Sequence, residues 1–127
     1  MSNLASPEQA YRRSAVLSAS PAQLVVMLYD GTRRFLRQAG RAMAAGEVER
    51  AHIMLRAGED IIRHLDATID DSQGELPGQL HAIYRFCLSH LRSARMEQDP
   101  AKLEEVSALL GELREAWAQV AEQVARG

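Results

Sequence analysis

The sequence contains a single cysteine, Cys87, only four prolines and few aromatic residues. One thiol excludes an intramolecular disulfide framework and suits a reducing compartment. Scarce proline and few β-branched residues, beside abundant Ala, Leu, Glu, Arg and Gln, exclude little except sheet and favour helix throughout. The longest strictly apolar run is Leu24 to Leu28, far short of the roughly 20 residues needed to span a bilayer, so stable membrane insertion is not expected. Residues Met1 to Ser20 carry Glu8, Arg12 and Arg13 without an apolar stretch, so no secretory signal is legible and a cytoplasmic location is expected. An excess of charge of one sign is also missing: the net charge is -2 and basic residues are scattered among acidic ones. No sustained positive field is available for a phosphate backbone, which excludes nucleic acid as the expected partner. No glycine-rich phosphate loop occurs either, since Gly31, Gly40, Gly46 and Gly58 stand alone.

What is present is 127 residues with 46% hydrophobic and 25% charged content, enough for one core and cramped for two. A single domain over residues 1–127 is expected, all-α, as an antiparallel up-down-up-down four-helix bundle behind a short N-terminal arm. Residues 1–19 lack apolar periodicity over their first half and read as that mobile arm. Ser20-Pro21-Ala22-Gln23 has the residues of a capping box, with proline at the first helical position. The first helix is expected over about residues 21–45, closing at Gly46. Ala51, Leu55, Gly58, Ile62, Leu65 and Ile69 keep a four-three alternation that predicts a second helix over about 47–69. The polar stretch Asp70 to Glu75 turns the chain. Leu80, Tyr84, Cys87, Leu91 and Ala94 mark a third helix over about 76–98. Asp99-Pro100 opens a fourth over about 100–125, with Leu103, Val106, Leu110, Leu113, Trp117, Val120 and Val124 on one seam. Short turns force neighbours antiparallel.

The first helix differs from the fourth. Beside the line Leu24, Leu28, Gly31 and Phe35 runs a second apolar line of Val25, Tyr29, Leu36 and Met43. That line either completes the core or lines a groove for a partner helix. Four such anchors, buried, contribute about 6 to 12 kcal/mol, against about 2 to 5 or more for ordering a segment that folds on binding. A single short helix would therefore bind weakly, and tight holding needs a longer segment wrapped over more than one face.

Catalytic and metal chemistry finds little support. Glu49 and His52 have the Glu-x-x-His spacing of di-iron bundles, but a second pair and further inward carboxylates are missing. Neither a metal nor a cofactor is expected. His90 invites comparison with histidine phosphotransfer bundles, a signalling reading kept as an alternative although the glycine such sites carry after the histidine is absent. Cys87 lies on a packing seam with no nearby cation to lower its pKa, so it is expected to be structural.

The stretch Tyr11-x4-Val16-Leu17-x-Ala19-Ser20-Pro21-x2-Leu24-Val25-x-Met27-Leu28-Tyr29-Asp30-Gly31-x3-Phe35-Leu36 closely resembles the opening of the flagellar secretion chaperones, the FliS family. The resemblance continues through Leu65-x-Ala67-Thr68-Ile69-Asp70, Leu80-x3-Tyr84 and Leu109-Leu110-x-Glu112-Leu113-Arg114-x2-Trp117, covering about Tyr11 to Trp117. It implies a non-enzymatic cytoplasmic chaperone that binds the disordered C-terminal segment of flagellin, blocks premature polymerisation and docks at a component of the flagellar export gate. It further implies a displaceable N-terminal lid, for which Tyr11, Val16 and Leu17 are the matching residues. Together with the first helix, the expected client contacts are Tyr11, Val16, Leu17, Leu24, Val25, Leu28, Tyr29 and Leu36. An adaptor for another secreted client is the remaining alternative, and a monomer or weak homodimer is expected. Departures at His52, Met54, Phe86 and Cys87 leave individual contacts open.

Overall fold

Four helices and no strand make up the described residues, 20–72 and 74–127, of the computed structural model. They are α1 (Pro21–Ala44), α2 (Val48–Ala67), α3 (Leu76–Glu97) and α4 (Pro100–Arg126). Each starts and stops for a local reason. Ser20 Oγ accepts the Gln23 amide at 3.2 Å while Gln23 Oε1 accepts the Ser20 amide at 2.8 Å, so the capping box is complete. At the other end of α1, Gly46 takes a φ of 74°. That left-handed residue lets its own amide donate to Met43 O and the Glu47 amide donate to Ala42 O at 2.8 Å, satisfying carbonyls that the helix end would orphan. Gln98, with a φ of 52°, closes α3, and the next residue, Asp99, caps α4 by accepting the Ala101 amide at 3.0 Å. Turns of two or three residues leave no room for a crossover, so α1–α2 and α3–α4 are antiparallel hairpins.

Neighbours around the bundle follow chain order, with α4 closing against α1. Small residues decide how closely they approach. A Cβ on Gly58 of α2 would stand 3.4 Å from Leu36 Cδ2 and 3.6 Å from Phe35 Cβ, so α1 and α2 lie almost backbone to backbone there. α1 packs along α2 and α4 far more extensively than α3 packs along either.

The core contains Tyr29, Leu36, Leu55, Ile62, Tyr84, Leu91, Val106 and Leu110, all shut from solvent. The inward line of α1 corrects the expectation for this helix. Tyr29, Thr32, Leu36, Ala39 and Met43 face the core, whereas Leu24, Leu28 and Phe35 are only partly covered. Two apolar lines competed, and the packed one includes Thr32 and Ala39, whose small side chains admit the neighbouring helices. The buried Thr32 hydroxyl donates to Leu28 O at 2.9 Å, which satisfies it within its own helix. The expected seam of α4 also needs correction at its end, because Val120 and Val124 are exposed. The bidentate ion pair of Arg114 with Asp30 (2.9 and 3.3 Å) sets the α1–α4 register. By that register the last turns of α4 run level with the start of α1, beyond the reach of its core line.

Candidate client-binding end of the bundle

Where the first turns of α1, the α2–α3 connection and the second half of α4 meet, the bundle opens a cavity of about 230 Å³. Val25 of α1, Leu65 near the end of α2, Ile69 in the α2–α3 connection, Leu76 and Leu80 of α3, and Trp117 of α4 form its walls, with Tyr84 beneath. The lining is mainly apolar because each helix brings its seam to this end, while the α2–α3 connection adds Thr68 and Asp70. Leu76 is 54% exposed at the rim, and Val120 and Val124 lie open on the terminal turns of α4. Large apolar side chains left in water at one end of a bundle mark a surface for association.

The floor is polar only at one point. The hydroxyls of Tyr29 and Tyr84 share a 2.6 Å hydrogen bond across the bundle. Burial pushes both phenols above their ordinary pKa; at Tyr29 the interactions with Tyr84 and Trp117 pull the other way without reversing it. Both rings therefore stay neutral, and the pair ties α1 to α3 across the core.

Behind the α3 wall, His81 is held between two carboxylates. Its Nδ1 lies 2.5 Å from Asp66 Oδ1 at the end of α2, and its Nε2 lies 2.7 Å from Asp71 Oδ1 in the connection. The hydrogen bond to Asp66, then that to Asp71, raises the imidazole pKa. The protonated ring donates on both sides and clasps the connection to α3. Asp70 starts the turn by accepting the Ser72 amide at 3.0 Å and its hydroxyl at 2.7 Å. Asx chemistry of this kind is why Asp-Asp-Ser breaks the helix here.

The expected contact residues distribute unevenly over this site. Val25 lines the cavity, and Leu24 and Leu28 lie half-buried on the same helix. Tyr29 and Leu36 are a correction: both are enclosed in the core, 0% and 2% exposed, so their side chains are already committed to packing and offer no free surface. Tyr11, Val16 and Leu17 lie outside the described residues. Sequence reasoning missed Leu76, Ile69 and Trp117 as neighbours of one opening. A usable signal was Leu76, an apolar residue directly after the turn and one helical turn before Leu80 on the same face.

Other candidate chemistry resolves into packing. Cys87 is fully buried and its thiol is pushed up to about 11 by burial, far from a reactive thiolate. His90 stacks on Phe86 with ring centroids 5.2 Å apart, and its Nε2 lies 2.7 Å from Glu105 Oε1. Glu49 and His52 are both exposed on α2. Among the described residues no three His, Cys, Asp or Glu side chains group as metal ligands, and no helix is long and apolar enough to cross a membrane.

Comparison with known proteins agrees with this architecture. The family model of the flagellar protein FliS matches residues 4–124. The flagellar secretion chaperone FliS of Bacillus subtilis is 32% identical over 113 residues, covering 89% of this chain and 84% of the relative. That of Salmonella typhimurium is 35% identical over 109 residues, covering 84% and 81%. A crystal structure of a flagellar chaperone from bacteria superposes with a TM-score of 0.77 over 93% of this chain and 99% of the other, at 14% identity, a likeness of fold.

Proposed function

The chain belongs to the FliS family of flagellar secretion chaperones, and from that premise we propose that its client is the disordered C-terminal segment of flagellin. A chaperone acts by binding a protein, not by turning over a substrate, which accords with a core whose titratable groups are all occupied in packing. In this reading the chain holds that segment in the cytoplasm, keeps it from premature polymerisation and passes it to the flagellar export apparatus, docking at the export gate.

The observation that carries the reading is the open apolar end, where Leu76 remains in water at the cavity walled by Val25, Ile69 and Trp117 and Val120 and Val124 are exposed further along α4. A helical or extended apolar segment entering there covers these side chains. Each is already partly shielded, so each contributes about 1 kcal/mol on full burial. One end alone then gives weak binding. A client wrapped further, along α1 past Leu24 and Leu28, adds area in proportion, as expected for a disordered segment that folds on its partner. The Tyr11, Val16 and Leu17 segment is joined to α1 at Ser20, only a few residues from Val25, and is the candidate lid of this opening.

Calorimetric titration with a peptide of the flagellin C-terminal segment tests the reading. Saturable binding with a negative heat-capacity change is expected. The paired substitution Leu76→Asp and Val120→Asp should weaken binding at least about tenfold, roughly 1.4 kcal/mol, with the helical circular dichroism unchanged. Absence of binding by the unaltered chain at high micromolar peptide refutes the choice of client.

A further inference from the structure

The opposite end of the bundle has a second opening of different chemistry. Between the second half of α1 and the first turns of α4 lies a groove of about 380 Å³. Arg33, Arg37 and Arg41 line one side, Ala44 and Pro100 are its exposed apolar residues above the buried Leu36 and Leu103, and Glu104 is its one acidic lining residue. Gly40 keeps the floor low: a Cβ there would come within 3.9 Å of Leu103 Cδ1 and 4.0 Å of Pro100 Cβ.

The three arginines stand one turn apart on the same face, and only the first is anchored. Arg33 Nε donates to Ser107 Oγ at 3.3 Å, and its Cζ lies 3.1 Å from where a Cβ on Gly111 would be. Arg37 and Arg41 have no side-chain hydrogen bond or ion pair among the described residues. Like charges at i,i+4 repel and weaken a helix. Arg41 recovers part of that cost in the last turn, near the negative end of the helix dipole. Arg37, mid-helix, has no such compensation. A chain of net charge -2 has no general basic excess of which this stripe is a by-product.

We propose that this α1–α4 groove docks an acidic amphipathic helix of a partner protein. Guanidinium forks recognise carboxylates bidentately, whereas a lysine would act only as a point charge. Arginines four residues apart are separated by about 6 Å along the axis, and carboxylates four residues apart on a facing helix share that rise. Alternate residues of an extended strand are separated by about 6.6 to 6.8 Å and fall out of step over three contacts. Ala44 and Pro100, the exposed apolar residues of the groove, meet the apolar face of such a helix, which a phosphate backbone does not possess. This surface is separate from the client-binding end and does not depend on the identity of the client.

The test uses the full chain and a labelled 16-residue amphipathic peptide with Glu at i, i+4 and i+8 beside a leucine stripe. Saturable binding is expected, at least tenfold weaker for the Arg37→Glu, Arg41→Glu double variant. Giving that variant the same peptide with Lys in place of Glu should restore binding. Arg37→Gln with Arg41→Gln serves as a second variant should the double charge reversal disturb folding, as checked by circular dichroism. Equal binding of a Gln version of the peptide, or failure of the charge swap, overturns the proposal. So does full displacement by a single-stranded oligonucleotide at equal charge, which would make the stripe a general polyanion surface.

Discussion

The hydroxyls of Tyr29 on α1 and Tyr84 on α3 lie 2.6 Å apart, and neither ring has meaningful access to solvent. These helices are not neighbours around the bundle, so the bond spans its diagonal and joins the two walls beneath the apolar cavity. Its energetics are asymmetric. Tyr84→Phe takes from the Tyr29 hydroxyl its hydrogen-bond partner across the core, leaving it the Trp117 interaction alone, and should cost about 1–3 kcal/mol. Replacing both tyrosines by phenylalanine removes both polar groups and should cost clearly less than the two single changes added together. Urea denaturation of the four-member cycle measures this; strict additivity would mean the bond contributes nothing. Tyr29→Asp, which places a carboxylate at a fully buried site, should unfold the chain instead of merely loosening a complex.

Glu59 and Arg95 form a second polar tie, between α2 and α3. Glu59 is 3% exposed while the Arg95 side chain keeps 25% of its surface, and the two are joined by a short ion pair. Arg95→Met leaves the carboxylate buried without its cation and should cost about 3–5 kcal/mol. The double replacement by methionine should recover most of that loss, because a packed apolar pair needs no desolvated charge. Thermal melts of the single and double variants decide the matter, and a double variant no more stable than Arg95→Met would contradict it.

The His81 clasp makes stability depend on pH in a defined direction. Asp66 and Asp71 raise the imidazole pKa in the folded chain. The stabilisation is therefore fully present below the ordinary imidazole value of about 6.5 and is lost as pH rises through the raised folded value. The gap in melting temperature between the native chain and His81→Gln should shrink across that window. A gap constant from pH 6 to 9 would show that the clasp contributes nothing to stability.

Two glycines should respond oppositely to alanine. At Gly31 a Cβ would meet only the mobile ends of Ile61 (3.6 Å) and Arg34 (3.8 Å). Alanine fits and should stabilise α1 by about 0.5–1 kcal/mol through lower unfolded-state entropy. Gly46 has open space around it but a φ of 74°, so alanine there should destabilise by about 1 kcal/mol. Denaturation midpoints that rank the two variants the other way would refute the account of the α1 terminus.

The fold class was legible because three kinds of local signal agreed: caps at Ser20 and Asp99, turn chemistry between them, and unbroken seams on α2 and α3. Ala51, Leu55, Gly58, Ile62 and Leu65 are buried as their alternation requires, as are Leu80, Tyr84, Cys87, Leu91 and Ala94. Phase was not legible where two apolar lines shared one helix. On α1 nothing in the pattern ranks Tyr29 and Leu36 above Leu28 and Phe35, since the decision rests on Gly58 of another helix and on a hydroxyl partner at Tyr84. Periodicity also ran past the end of the core, as Val120 and Val124 repeat correctly on turns of α4 that stay exposed. The cavity and the clasp depend on how the α2–α3 connection folds back, a three-dimensional fact that Asp66, Asp71 and His81 do not disclose by spacing.

The lighter packing of α3 bears on how the bundle behaves in time. α1 makes long contacts with α2 and α4, while α3 makes fewer and adds to its buried seam three discrete fastenings: the tyrosine bond, the Glu59–Arg95 pair and the histidine clasp. Fluctuations that release α3 can therefore proceed with the other three helices still assembled, and amide hydrogens on α3 should exchange with solvent before theirs do. The wall of the apolar opening that carries Leu76 and Leu80 is the leaf that swings, and the other three helices are its frame.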